Sequence, residues 1–497
     1  MYKRQAEDRT IPEPDVSEEN PISEHWVWRG KHRAPSPRAL VDRFIENWGE
    51  QQLSSEVHPS TPFTKKRRET LAAKFPSKTL VIPTGNLKVR ANDTDYRFRP
   101  SSDFFYLTSC HEPDCVLVIS PENGATLYIS PRRDNSTHDF FSDSRYGELW
   151  VGPRHGVIEA AVHYEIQTAP LDSLESDLKG LQASDVLTVR GFDPSVDGLL
   201  KENTSDVELH QTLHELRLTK DSFEIDQLQV AIDFTVKGFE DVVRALPEAE
   251  GHGERVIEGI FNLRARTEGN DVGYDTIAAS GSNATILHWT RNNGKVNKGE
   301  MLLLDAGVEC SNLYTADVTR TMPINGKFSP AQRRIYDVVY AAQEAGIAAV
   351  KPGAEYRAPH DAAMRVLAEG LFDLGILKEE PEYALQKHLQ LHARWTLHSV
   401  SHHLGLDVHD CAQARNEQFI GPLFEGYVIT VEPGLYFQKN DLLVPEEYRG
   451  IGVRIEDDIL VTSTGSKNLS SGLPRQADEI EAWMQEVWRR GTTNLQL

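Results

Sequence analysis

Apolar positions follow two different periods along the chain, and the changes of period divide it. Residues 1–60 are polar and proline-rich, with helical spacing only around 40–53, and read as an irregular lead-in with one or two short helices. A helix over 65–75 precedes strands predicted at 79–83, 104–108, 115–119 and 125–129. Pro121, Glu122, Asn123 and Gly124 separate the last two and supply turn chemistry. Helix-like and strand-like pieces then alternate to about 207, which predicts a mixed α/β domain. No GxGxxG follows a strand, so no dinucleotide site is expected.

A helical period takes over near Leu209. Leu213, Leu216 and Leu218 mark one face, and Phe223, Ile225, Leu228 and Ile232 mark a second after a break at 219–222. Asp221 or Ser222 suits an N-cap, with Glu224 in the first turn. Val256, Ile257, Ile260 and Leu263 predict a further helix over 254–267. From Tyr274 onward strands dominate, at 275–280, 286–289, 301–306, 314–320, 396–400, 406–410, 427–431 and 451–463, with helices at 330–348 and 358–374. Ile480, Trp483, Val487 and Trp488 make 477–494 an amphipathic terminal helix. The expected fold class is α/β in the α+β sense. A lead-in (1–60) is followed by an α/β domain (61–215), a curved, mostly antiparallel sheet covered by helices (216–475), and a C-terminal helix (476–497).

Composition narrows the function. The chain is 39% hydrophobic and 26% charged, as in globular proteins. A net charge of −22 argues against a nucleic-acid partner and against an anionic membrane surface. The one basic run, Lys65, Lys66, Arg67 and Arg68, reads as an exposed helix face. Four cysteines without a CxxC pair exclude a disulfide scaffold and a thiolate zinc site, and fit a reducing, cytoplasmic location. Met1 to Arg9 is charged with no apolar run behind it, so neither a signal peptide nor a bilayer span is expected.

The informative feature is a set of acids in apolar strands. Leu302, Leu303 and Leu304 lead into Asp305; Asp317 follows Ala316; Glu432 closes a Val-Ile-Thr-Val run; and Glu456 follows Ile455. Buried carboxylates are costly unless compensated. If the four converge, two divalent cations neutralise them, and oxygen ligation with one imidazole suits Mn²⁺, Zn²⁺, Co²⁺ or Fe²⁺. His398, His402 and His409 are the imidazole candidates.

Five stretches carry a resemblance to a known family: 283–289 (NATILHW), 304–307 (LDAG) with 316–328 (ADVTRTMPINGKF), 401–410 (SHHLGLDVHD), 430–434 (TVEPG) with Tyr436, and 453–457 (VRIED). They resemble the aminopeptidase P and prolidase branch of the pita-bread metallopeptidases, whose relatives include creatinase and methionine aminopeptidase. The resemblance spans roughly 65–475 and is densest from 280 to 463. It implies a creatinase-like N-terminal domain that shapes substrate access and a pita-bread catalytic domain. It assigns Asp305 to one metal, Asp317 and Glu456 to both, and His402 and Glu432 to the other. It makes His288, His398 and His409 substrate-handling residues and Arg454 an orienting group behind the ligands. Residues 98–108 (FRPSSDFFYLT) and 150–156 (WVGPRHG) are similar to segments in which an aromatic and an arginine reach a neighbouring subunit's site, which here would be Phe105 and Arg154. The resemblance therefore also implies a homodimer or homotetramer. Three departures stand out: one extra residue between Asp305 and Asp317, Ser399 for a usual glycine, and His403 for a usual tryptophan.

The implied activity is a two-metal Xaa-Pro aminopeptidase. Manganese is the expected metal, with zinc, cobalt or iron as alternatives. A hydroxide between the metals attacks the bond before a penultimate proline, Glu432 relays the proton, and His288 and His409 clamp the substrate. A prolidase restricted to dipeptides is the first alternative; it needs a cation for the substrate's carboxylate, with His403, Arg394 and Arg454 as candidates. A non-hydrolytic pita-bread interaction protein is the second, and the complete ligand set argues against it.

Overall fold

The computed structural model describes residues 26–27, 36–49, 56–92, 94–133, 135–137, 139–414 and 421–491. Most of the lead-in, including 50–53 of the expected 40–53 helical stretch, and the last six residues lie outside them. The chain forms two compact units, 1–206 and 207–497.

The first unit is built on a five-stranded mixed sheet. Its strands are β1 (Thr79–Pro83), β2 (Val116–Ser120), β3 (Gly124–Ile129), β4 (Gln167–Pro170) and β5 (Val186–Thr188), in the order β4-β3-β2-β1-β5. β1–β2 and β2–β3 are antiparallel, whereas β1–β5 and β3–β4 are parallel. Helix α1 (Thr61–Lys74) precedes β1.

The strand expected at 104–108 is instead a helix, α2 (Ser102–Thr108). Phe104, Phe105, Tyr106 and Leu107 are all buried, so the run has no alternation, and a short all-apolar segment reads equally as a strand or a buried helix. Ser109, in the left-handed region (φ +55°), closes the helix with its amide on the Phe105 carbonyl. The basic run is helical, as expected, but only half of it is exposed. Arg67 and Arg68 are buried and donate to the Tyr106 and Leu107 carbonyls, at 2.9 and 2.7 Å, satisfying the open end of α2. Burial lowers the Arg68 pKa to about 10.

The second unit begins with α3 (Asp206–Leu218) and α4 (Ser222–Ala249). Asp221 caps α4 and pairs with Glu224 in a capping box. α5 (Glu254–Glu268) crosses α4 at Gly238, where a Cβ would lie 2.7 Å from the Phe261 ring. Then come β6 (Ile277–Ser280), β7 (Met301–Ala306) and β8 (Val318–Pro323), forming one antiparallel sheet. Helices α6 (Pro330–Ala349) and α7 (Ala358–Asp373) follow. The last strands are β9 (Val428–Val431), β10 (Gly434–Tyr436), β11 (Gly452–Arg454), β12 (Asp457–Val461) and β13 (Ser466–Asn468), again all antiparallel. Helix α8 (Ala477–Arg489) docks on the same core through Ile480, Met484 and Val487. Among the described residues, no helix is long and apolar enough to cross a membrane.

Three expected strands are absent. Residues 286–289, 396–400 and 406–410 run without strand structure, although His288, His398 and His409 lie on them. At 405–410 the backbone turns on itself: the Gly405 amide meets the Asp407 carbonyl (3.2 Å) and the Asp410 amide the His403 carbonyl (3.0 Å). Amides spent on a turn are not available to a ladder.

Candidate active site

Strand alternation sends each expected carboxylate ligand to one face of the second unit. On β7, Leu302, Leu304 and Ala306 enter the main core under the helices, and Leu303 with Asp305 faces the other way. On β8, Val318 and Met322 belong to the core, which leaves Asp317 and Thr319 opposite. Ile429 and Val431 are likewise core, opposite Thr430 and Glu432; Val453 and Ile455 are core, opposite Arg454 and Glu456. Strands from distant parts of the sequence thus deliver four carboxylates to one cavity of about 510 Å³.

Between the two aspartates the chain turns in a loop that keeps both on this face. Residues 310–314 form a turn with Leu313 in the left-handed region (φ +62°), the form that turns with a one-residue bulge adopt. Gly307 lets the hairpin's backbones close, since a Cβ there would lie 1.7 Å from the Ala316 carbonyl oxygen. Gly307→Ala is expected to cost about 1–3 kcal/mol through overpacking and to lower the melting temperature, read by differential scanning fluorimetry.

Within the cavity, His402 Nε2 lies 3.2 Å from Asp317 and 3.6 Å from Glu432. One ligand atom from each of Asp317, His402 and Glu456 lies within 4.8 Å of the others. Tyr274 donates its hydroxyl to Asp305 (2.7 Å) and bonds Asp317. Arg454 pairs with Asp305 and reaches the Thr319 and Tyr436 hydroxyls at 3.2 and 2.9 Å. Thr319 donates to Glu456 at 2.6 Å. His398 meets the Tyr436 hydroxyl at 2.8 Å and lies 3.7 Å from Glu432. The His409 ring centroid is 4.2 Å from that of His402, and His288 lines the exposed rim.

The electrostatics are those of an under-compensated acid cluster. Burial, reinforced by the neighbouring carboxylates, raises Glu456 well above the usual range. Burial takes Glu432 to about 8 against the opposing pull of His402 and Arg454. Asp317 is also raised by burial. Burial lowers His402, but the hydrogen bond and charge of Asp317 outweigh it and carry the imidazole to about 9. Burial and then the His402 charge push His409 down to about 4; burial and Arg454 do the same to His398. Such a group of acids holds protons unless cations replace them. An oxygen-rich set with one imidazole fits divalent metals.

Below this layer, Arg320 and Asp457 form a buried pair at 2.7 Å. The Arg320 guanidinium also donates to the Glu456 carbonyl at 2.6 Å, tying the pair to the site.

The chain matches two family models: metallopeptidase family M24 over 226–463, and the aminopeptidase P N-terminal domain over 64–189. It is 51% identical over 490 residues to Xaa-Pro aminopeptidase 1 of Streptomyces coelicolor, covering 96% of this chain and 98% of that one. The chain belongs to metallopeptidase family M24. It is 33% identical over 441 residues to the Xaa-Pro aminopeptidase of Escherichia coli, covering 85% of this chain and 97% of that one. A solved structure of proline aminopeptidase P II from Yersinia pestis superposes with a TM-score of 0.75 at 32% identity, over 86% of this chain and 99% of that one. Aminopeptidase PepP of Pseudomonas aeruginosa gives 0.77 at 29%, over 87% and 99%. The second unit is therefore the pita-bread domain of an M24 metallo-aminopeptidase of the aminopeptidase P branch, and the enzyme uses a divalent metal cofactor.

Sequence reasoning missed Tyr274 and Thr319, whose hydroxyls hold the ligand carboxylates. No periodicity or charge signal marks them. It considered His403 as a cavity group, but that ring is buried between Tyr356 and Tyr427, with centroids 5.2 and 5.3 Å away, and does not line the cavity. In the first unit, Phe105 is buried and packs edge-on against His111. Arg154 is buried and paired with Glu112 at 2.9 Å. This placement gives both residues packing partners within the first unit.

Proposed function

We propose that this chain is an Xaa-Pro aminopeptidase that hydrolyses the bond between an N-terminal residue and a penultimate proline, with two divalent metals, manganese first among them. The supporting observation is the convergence of Asp305, Asp317, His402, Glu432 and Glu456 on one cavity. In this reading Asp305, Asp317, His402, Glu432 and Glu456 would hold the two metals, with Asp317 and Glu456 placed to be shared. When bound, the metals supply a water acidic enough to ionise near neutral pH and a Lewis acid for the scissile carbonyl.

The chain's own residues do the rest. Arg454, Tyr274 and Thr319 orient the carboxylates and offset their charge. Glu432, the acid nearest His398, holds and passes the proton that must reach the departing proline nitrogen. His288 and His409 donate to the carbonyl oxygen as negative charge grows there. The acidic pocket attracts the substrate's free ammonium, which suits an exopeptidase.

Aminopeptidase is favoured over prolidase by a search for the cation that a dipeptide's carboxylate needs. Arg394 is exposed and paired with Asp441 at 3.0 Å, and it does not line the cavity. Arg454 is committed to Asp305, Tyr436 and Thr319. His403 faces two tyrosines. None is left to hold a dipeptide's end. Tripeptides with proline second are thus expected to be cleaved faster than Xaa-Pro dipeptides; hydrolysis of dipeptides alone would reverse the assignment. A metal count on the purified protein, with activity lost on chelation, tests the cofactor.

His409→Ala is expected to keep both metals and to lower kcat by about 10²–10³-fold, the usual cost of one oxyanion donor. Metal analysis beside steady-state kinetics separates this from a ligand role. A cytoplasmic location fits the four buried free thiols. Assembly as a dimer or tetramer is open to sedimentation analysis.

A further inference from the structure

The turn that carries His409 is held from outside the cavity. Asp407 and Asp410 flank Val408 and His409, both of which line the cavity. One buried guanidinium, Arg217 on α3, binds both acids: Nη2 donates to Asp407 Oδ2 at 2.8 Å and to Asp410 Oδ1. Lys220, also buried, lies 3.6 Å from the other Asp410 oxygen. The turn is fitted to this arrangement, because a Cβ at Gly405 would lie 2.2 Å from Asp410 Oδ2. Its far side is pinned where Gly405 accepts the Thr315 amide at 3.0 Å, two residues before Asp317.

An ion cluster buried at Arg217, Lys220 and Asp410 is a weak device for stability alone, since apolar side chains of equal volume often serve as well or better. Its advantage is geometric: a planar guanidinium fixes the acids it binds. Two acids three positions apart, held by one rigid group, fix the residues between them. We propose that Arg217, supported by Lys220, is a positioning residue that sets His409 in the cavity by clamping Asp407 and Asp410 on either side of it. The kinetic part rests on the role given to His409 above; the geometric part does not.

Two readouts on the full-length protein test this, the kinetics with manganese bound and the resonance with diamagnetic zinc in its place. In a double-mutant cycle, Arg217→Gln lowers kcat/KM by about 10–100-fold, chiefly in kcat and with metal content unchanged, as expected for a small misplacement of a catalytic group. In the His409→Ala background the same change costs less than about 3-fold, because the group it positions is gone. Fully additive losses would overturn the proposal. Should Arg217→Gln not fold, Asp407→Asn removes one arm of the clamp without stranding a buried cation, and the same non-additivity is expected at about 3–10-fold. Independently, the ¹³C Cε1–H resonance of His409, assigned by its loss in His409→Ala, shifts and broadens in Arg217→Gln. An unchanged resonance would sink the clamp. A shifted resonance with an unaffected rate in His409→Ala would retain the clamp and retire His409 as a substrate-handling group.

Discussion

Asp317→Ala, or Glu456→Ala, is expected to abolish paired metal binding and to lower kcat/KM by at least about 1,000-fold, since a bound metal contributes several kcal/mol to the barrier and each 1.4 kcal/mol is a factor of ten. Both carboxylates are buried on the cavity face and sit with His402 in one ligand cluster. Neither is a free-standing acid: Asp317 also bonds Tyr274, and Glu456 accepts from Thr319. Removing either leaves its neighbours crowded, like-charged and short of the cation that balances them. Metal analysis and tripeptide turnover measured on the same preparation check the result. Full activity in either variant would remove the basis for the paired-metal reading.

Arg320→Met is expected to be the most damaging single change to stability, by about 3–5 kcal/mol, the cost of leaving one member of a buried ion pair behind. Arg320 donates to the Asp457 carboxylate and to the carbonyls of Thr319, Glu456, Leu473 and Pro474. It therefore joins β8, the Glu456–Asp457 corner and the approach to α8. The variant loses cooperativity between the strands that carry Asp317 and Glu456, so metal affinity falls together with the denaturation midpoint. Chemical denaturation followed in parallel with metal titration reads both. Loss of stability with metal affinity unchanged would mean that the corner is held by its other bonds.

How much of this was legible beforehand depended on the kind of signal. The helices at 222–249, 254–268, 330–349 and 358–373 were readable because an amphipathic stripe repeats over several turns, and Asp221 and Glu224 announce a start. Strands β7, β9, β11 and β12 were readable because acids break otherwise apolar runs. The run at 104–108 misled because every side chain is buried, which removes the alternation that separates strand from helix. The segments carrying His288, His398 and His409 misled because their backbones bond in short-range turns, such as the His288 carbonyl with the Thr290 amide and the His403 carbonyl with the Asp410 amide, which short apolar runs do not announce.

By itself the sequence determined where compensation is required: acids within apolar strands need an opposite charge, and this requirement holds whatever the strands pair with. Only the tertiary structure decided how they are used. It alone brings Tyr274 onto two aspartates, turns His403 away from the cavity between two tyrosines, and sets Arg217 behind His409. Composition and period constrain one residue against its near neighbours. Contacts between residues 190 positions apart, such as Arg217 and Asp407, exist only once the chain has closed its long loops and packed its core.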